Sequence, residues 1–250
     1  MIPGRLLLSR VSGAIADHRS QSAPQAARLR SQQAYVRFPP IADISSPCKV
    51  GYKVSVDVKL RHRLIALAQR DGEIRQRLAS DGTLFDGYHP EMQAVHEENA
   101  SVLESLVRKH GWPDADSAGQ DGAEAAWLIA QHAIGCPDFQ RLCLCYLQAA
   151  AADEKVPPWQ PAMLLDRIRV FEGRRQVYGT SFDWNEAGEM SPLPIENPDL
   201  VDARRAEVGL PPLGEALERH RKQSENEPKP ANIQQRLNEM EAWAKRVGWR

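Results

Sequence analysis

A histidine at the end of an apolar helical stripe is the residue of this sequence best placed for acid–base chemistry. Ala125, Leu128, Ile129 and His132 follow the spacing that puts side chains on one face of a helix. Imidazole is the side chain that titrates nearest neutral pH, so His132 is the candidate catalytic residue. The alternative is a core histidine whose ring nitrogens are satisfied by hydrogen bonds. The sequence leaves both interpretations open.

Further polar side chains lie within or beside apolar patterns, and we predict that they line one concave site with His132. Amides orient a bound molecule, a guanidinium holds an anionic group, and a phenol donates a hydrogen bond. Arg167 alternatively only lays its aliphatic stem along the surface. The predicted ligand-binding residues are Gln131, Arg167, Gln176, Tyr178 and Asn99.

Asn99 interrupts the apolar face of a helix predicted from about Pro90 to Lys109. A buried amide must find partners or cost about 1–3 kcal/mol, so Asn99 belongs to a structural network or contacts a ligand. The neighbouring His96 is predicted to lie at the surface.

The cysteines and histidines show no metal-binding pattern, and we predict no metal site and no cofactor. The four cysteines, Cys48, Cys136, Cys143 and Cys145, form neither a disulfide framework nor a zinc motif. No two of the seven histidines have the four-residue spacing that chelates a metal from one helix. A metal site would have to be assembled from distant segments.

The charge balance excludes two classes of partner. With 32 basic and 33 acidic residues, the formal net charge is −1, which gives no electrostatic reason to bind nucleic acid or an anionic membrane. No apolar run approaches the ~18 residues of a membrane span. We therefore expect a soluble protein, and reduced cysteines favour a cytoplasmic location. The sequence identifies no partner and is consistent with a small-molecule ligand or with self-association through the C-terminal helix.

The periodicity predicts a mainly α fold, a bundle-like domain of five to seven helices with one small β-hairpin at its edge. Apolar residues recur at helical spacing from about Leu60 to Asp81, and a short strand is predicted from Tyr52 to Val58. Residues 114–120 are predicted to form a loop. Cys136, at the N-cap of a further helix, cannot cap its first turn. The hairpin is predicted from alternation between Gln176 and Ile195.

Four segments follow from these patterns. Residues 1–48 lack sustained periodicity and are predicted to be a disordered extension, whereas residues 49–221 form the helical domain. Residues 222–230 are a polar linker, and residues 231–250 form an amphipathic helix. We expect this last helix to dock on the domain or to mediate self-association.

Several short motifs lie between Leu60 and Leu217, at residues 84–90, 111–113, 127–133, 166–168, 176–180, 194–196 and 201–205. Together they resemble an uncharacterised bacterial family whose domain has no known function. The resemblance implies the domain limits and no particular activity. Two positions depart from the pattern: Ser181 stands where the family tends to carry Gln, and Cys136 where it tends to carry Asp.

Two functions are consistent with the sequence. The first is a non-catalytic binding or structural module with a polar pocket around His132, since no nucleophile elbow, phosphate loop or paired-carboxylate motif is present. The second is a small-molecule hydrolase or transferase that uses His132 as acid and base. Convergence of the predicted site residues on one cavity would favour the enzyme.

The N-terminal extension generates the first prediction. Deleting residues 1–48 should leave the melting temperature unchanged, because this segment lacks the apolar content that would offset its chain entropy. Thermal unfolding of the full and shortened chains measures this. A drop of several degrees would show that the extension packs on the domain.

Overall fold

The computed structural model describes residues 56–85, 87–225, 229–230 and 232–250. Within them the chain forms eight α-helices and one two-stranded antiparallel sheet, which confirms the predicted mainly α fold with a small hairpin. The helices are α1 (Val58–Ser80), α2 (Pro90–His110), α3 (Ala115–His132), α4 (Pro137–Ala152), α5 (Trp159–Phe171), α6 (Val201–Glu207), α7 (Leu213–Gln223) and α8 (Ile233–Arg246). Short 3-10 turns, Thr83–Phe85 and Pro198–Leu200, precede α2 and α6.

The first three helices pack on one another and form the centre of the bundle. Asp57 caps α1, because its carboxylate accepts hydrogen bonds from the main-chain N–H groups of Lys59 and Leu60. Val58 is therefore helical, and the strand predicted from Tyr52 to Val58 is wrong at this end. The part of that strand up to residue 55 lies outside the described residues.

Helix α3 begins earlier than predicted, within the segment expected to be a loop. Asp114 and Ser117 bond reciprocally to each other's main-chain N–H groups, which satisfies donors of the first turn. Gly119 then leaves the helical conformation with φ 71°, a value that favours glycine. A capped turn therefore precedes the longer part of α3, which ends at His132.

Helices α4 and α5 complete the bundle and pack against each other. The Cys136 side chain makes no capping hydrogen bond to α4, as the sequence predicted. The α4 residue Gln140 instead closes the end of the preceding helix, since its amide donates to the carbonyl oxygens of Ala130 (2.6 Å) and Gln131 (3.2 Å). This contact satisfies terminal carbonyls of α3 and fixes its last turn.

The hairpin lies at the edge of the bundle and is shorter than predicted. Its strands are β1 (Phe182–Trp184) and β2 (Met190–Pro192), with Asp183 opposite Ser191. The strands pack against α7 in a second small apolar cluster, which contains Phe182, Met190 and Ala216.

The last helix docks on the domain through apolar contacts and an ion pair. Trp243 is buried against the rings of Tyr88 and Phe171. At the other end of α8, Arg236 bonds both carboxylate oxygens of Asp183 in β1, at 3.0 and 3.1 Å. The Trp243 side chain is thus covered by other parts of the same chain. Self-association through α8 stays a prediction. In the described part of the chain, no helix is both long and apolar enough to cross a membrane.

The second prediction concerns the docking of α8 on the domain. Trp243→Ala should lower the free energy of unfolding by about 3–5 kcal/mol, because a large buried ring leaves a cavity. Leu237→Ala on the same helix is the control. Its half-buried side chain predicts a loss of roughly 1 kcal/mol. Chemical denaturation measures both, and equal small losses would show that α8 does not dock in solution.

Candidate functional site

A carboxylate and an imidazole meet in the interior of the bundle. Asp71 lies on α1 and His132 is the last residue of α3, and both are buried. Nδ1 of His132 lies 2.7 Å from Oδ2 of Asp71, which is a charge-assisted hydrogen bond. The contact joins residues 61 positions apart and holds the end of α3 against α1.

A second imidazole approaches the same carboxylate oxygen from α2. Nε2 of His96 lies 3.3 Å from Oδ2 of Asp71, without the alignment of a hydrogen bond. On the other side of its ring, Nδ1 of His96 lies 2.9 Å from the hydroxyl of Tyr88. His96 is buried, with an exposed fraction of 1%. The prediction of a surface position was wrong, because His96 shares the inward face of α2 with Met92, Asn99 and Leu103.

The protonation states follow from burial and from these contacts. Burial lowers the pKa of His132 to about 4 against the opposing effect of Asp71, so its ring is neutral at neutral pH. Burial would raise the pKa of Asp71, but the hydrogen bond from His132 and the close contact with His96 outweigh it and hold this pKa below its usual range. Burial also raises the pKa of Tyr88, so its hydroxyl stays protonated. The site therefore contains an ionised carboxylate beside a neutral His132 ring.

Two guanidinium groups extend this cluster, that of the half-buried Arg75 and that of the buried Arg167. Arg75 lies one turn after Asp71 on α1, and its charge acts on Asp71, His132 and Arg167. On α5, Nε of Arg167 donates to Oε1 of Gln131 at 2.7 Å. Burial, and then the charge of Arg75, lower the pKa of Arg167 to about 10, so it remains a cation. We call the following six residues the polar centre: Asp71, Arg75, His96, Gln131, His132 and Arg167.

Several polar atoms of this region are buried and make no hydrogen bond within the described residues. Asn99 contributes one such atom, since its amide nitrogen donates to the carbonyl of Leu67 at 3.3 Å and its oxygen has no hydrogen-bond partner there. Buried polar atoms in folded proteins are normally satisfied, so such a concentration indicates water or a ligand. The atoms are Oδ1 of Asp71, Nε2 of His96, Oδ1 of Asn99, Nε2 of Gln131, Nε2 of His132 and Nη1 of Arg167.

The remaining predicted site residues organise the loop that leads into the hairpin. Gln176 donates to the carbonyl oxygens of Ser181 and Leu193, and its side-chain oxygen accepts from the N–H of Ser181 at 2.6 Å. Tyr178 is half-buried, and its main-chain N–H donates to the buried carboxylate of Asp166. The nitrogen and the oxygen of the Gln176 side-chain amide therefore both have hydrogen-bond partners in this loop.

Asp166 is the centre of this loop and was not among the predicted site residues. Its carboxylate accepts main-chain N–H groups of Val177, Tyr178 and Thr180, and also the Thr180 hydroxyl. Burial raises the pKa of Asp166 and these donors lower it, with burial the larger effect. Because Arg167 follows Asp166 on α5, the anchored loop and the polar centre share one helix.

The sequence therefore predicted one part of the polar centre and missed another. It selected Gln131, His132 and Arg167, and the structure joins Gln131 to Arg167 by a hydrogen bond. It missed Asp71, although this residue lies seven positions after Leu64 and seven before Leu78 on a buried stripe. Asp71 could have been found in the same way as Asn99, because each is a polar residue at an apolar position of a helical pattern.

Comparison with known proteins identifies a protein family for this chain. The model of a family of unknown function, DUF6624, matches residues 58–223, which is more than half of the chain. No curated protein and no solved structure shows a significant match. The match ends at the last residue of α7, so α8 lies beyond it.

The Asp71–His132 contact makes the third prediction, a coupling free energy measurable by a double-mutant cycle. Asp71→Asn and His132→Gln should show a coupling of about 1–3 kcal/mol in chemical denaturation, because one change removes the charge of the acceptor and the other removes the imidazole donor of the same buried hydrogen bond. His62, exposed on α1, is the control, and His62→Gln should show none with Asp71→Asn. Additive effects at Asp71 and His132 would contradict the contact.

Proposed function

Because this chain belongs to the DUF6624 family of unknown function, we propose its role from the geometry of the site. The domain is a non-catalytic binding module, and its polar centre binds a small anionic ligand. One observation carries this proposal. Arg167 is a buried cation whose hydrogen-bond partner is the neutral amide of Gln131.

The charge balance of the polar centre favours an anion. Within the described residues, no carboxylate lies within ion-pair distance of Arg167, and Asp71 is the acidic member of the centre beside two guanidinium groups. The positive charge of Arg167 is therefore not balanced by an ion pair within the described residues. Leaving a buried charge uncompensated costs on the order of 3–5 kcal/mol, so a bound anion would stabilise the domain.

The donors that would hold this anion come from adjacent side chains. Nη1 of Arg167 and Nε2 of Gln131 are both buried donors that make no hydrogen bond to the described residues. The bond between Nε of Arg167 and Oε1 of Gln131 fixes the two groups relative to each other. A carboxylate or an oxyanion such as sulfate accepts from such a pair. Arg75 adds a second positive charge nearby.

A second candidate function rests on the contact between Asp71 and His132. A carboxylate bonded to Nδ1 of a neutral imidazole leaves Nε2 as a base, which is how a general base is oriented in hydrolases. His132 would then act as acid and base in a small-molecule hydrolase or transferase. This candidate ranks second because Nε2 of His132 makes no hydrogen bond to a nucleophile within the described residues.

We propose the cytoplasm as the compartment of this protein. Cys136, Cys143 and Cys145 are free thiols, which is typical of a reducing environment. The proposed partner is a small molecule, and the near-neutral charge gives no reason to add nucleic acid or a membrane.

Anion binding makes the fourth prediction. Sodium sulfate should raise the melting temperature above that in sodium chloride of equal ionic strength, because a ligand that binds only the folded state stabilises it. Each kcal/mol of binding should raise it by roughly 2–4 °C. Arg167→Gln should remove the sulfate-specific rise, while the control Arg63→Gln, at an exposed position on α1, should keep it.

Two results would contradict the proposal. The first is equal melting temperatures in sulfate and chloride, with acetate and phosphate also without effect. The second is a sulfate-specific rise that persists in Arg167→Gln. If Arg167→Gln does not fold, Arg167→Lys keeps the charge without the planar fork and should weaken the sulfate effect. Turnover of a small anionic ester that His132→Gln abolishes would favour the second candidate function.

A further inference from the structure

Three side chains of the polar centre are of the types that bind divalent transition metals. Asp71, His96 and His132 come from three different helices, and one ligand atom of each lies within 4.8 Å of the other two. Two imidazoles and one carboxylate form a donor set that suits zinc, iron, cobalt or nickel and leaves coordination positions open. The three donors come from segments that are distant in sequence. No two histidines therefore show the four-residue spacing by which one helix chelates a metal.

The position of His96 distinguishes this arrangement from an ordinary buried ion pair. Its Nε2 faces Oδ2 of Asp71 at 3.3 Å, yet the two atoms are not aligned as a hydrogen bond. Ligand atoms on a tetrahedral ion are roughly 3.3 Å apart, since metal–nitrogen and metal–oxygen bonds are about 2.0–2.2 Å long. The separation therefore fits two ligand atoms directed at a common point.

A group outside the donor set orients His96. The Tyr88 hydroxyl bonds Nδ1 of His96, and this leaves Nε2 directed at Asp71. Metal-binding histidines characteristically use their second nitrogen for such a bond, which fixes the ring. Tyr88 is itself held by the edge of Trp243, so its position is set by packing.

The contact between Asp71 and His132 must open slightly to admit an ion. Nδ1 of His132 and Oδ2 of Asp71 are 2.7 Å apart, a hydrogen-bond distance. An ion would replace the proton between these atoms, and that proton would move to Nε2 of the same ring. His96 would bind through Nε2 with its proton on Nδ1, beside the Tyr88 hydroxyl oxygen, so each ring keeps one proton and offers its other nitrogen to the ion.

We propose that Asp71, His96 and His132 form a binding site for one divalent first-row transition metal ion. The charge of Arg75 acts on both His132 and Arg167, so it opposes a cation at the three donors. An anion held by Arg167 offsets that charge, and the ion and the anion therefore bind cooperatively. This cooperative part rests on the proposed anion-binding function, whereas the metal site rests on the three donors.

Cobalt titration of the full chain tests the site, because cobalt held by histidine and carboxylate ligands gives visible ligand-field bands. After dialysis against a chelator and then against chelator-free buffer, the bands should saturate at one ion per chain. His96→Gln and His132→Gln should each weaken binding by at least about tenfold. His62→Gln is the matched control at an exposed histidine of α1 and should keep the bands.

If the variants do not fold, X-ray absorption of the cobalt-loaded wild-type chain decides instead, and two imidazole ligands are expected. Bands that persist in both histidine variants, saturation only far above one ion per chain, or no imidazole ligation would overturn the metal site.

Repeating the titration with and without sulfate separates the two proposals. Sulfate should tighten cobalt binding in the wild type and not in Arg167→Gln. Cobalt bands that depend on His96 and His132 but not on sulfate support the metal site and overturn the cooperative part. An Arg167-dependent sulfate effect on melting temperature without cobalt bands overturns the metal site and leaves anion binding standing.

Discussion

The ionised carboxylate of Asp71, buried between three helices, is the constraint on which the interior of this domain depends. A charge in that position needs donors, because removing it from water without them costs several times the free energy of an ordinary hydrogen bond. His132 supplies one donor from α3, and His96 brings the side chain of α2 to the same oxygen. The three central helices are therefore joined at one side chain by polar contacts, in addition to their apolar packing.

The guanidinium groups indicate whether the polar centre is a structural network or a ligand site. A purely structural network would balance the charge of Asp71 with one cation, and Arg75 is already close to it on α1. Arg167 adds a second cation from α5, bonded to a neutral amide. A buried cation bonded to a neutral amide favours a ligand over a self-sufficient network. Helix α5 also connects this centre to the hairpin loop, because Asp166 holds the loop next to Arg167.

Local patterns predicted which segments form helices and which form the hairpin, because periodicity depends on residues that are close in sequence. The bounds of α2, the uncapped start of α4 and the hairpin position were all accessible in this way. Candidate site residues were accessible only as polar interruptions of apolar stripes, which identified His132 and Arg167. Asp71 carried the same signal and was missed, and His96 was placed at the surface. What sequence patterns could not predict was pairing, because Asp71 and His132 are 61 residues apart and no local rule joins them.

The central claim is that the polar centre is a ligand site, and a crystal structure grown from sulfate would test it most directly. The account predicts tetrahedral density in the interior, bonded to Nη1 of Arg167 and Nε2 of Gln131. The contradicting result is an interior in which these two atoms bond only to protein groups or ordered water. In that case the centre is a structural network, and the charge of Arg167 is compensated without a ligand.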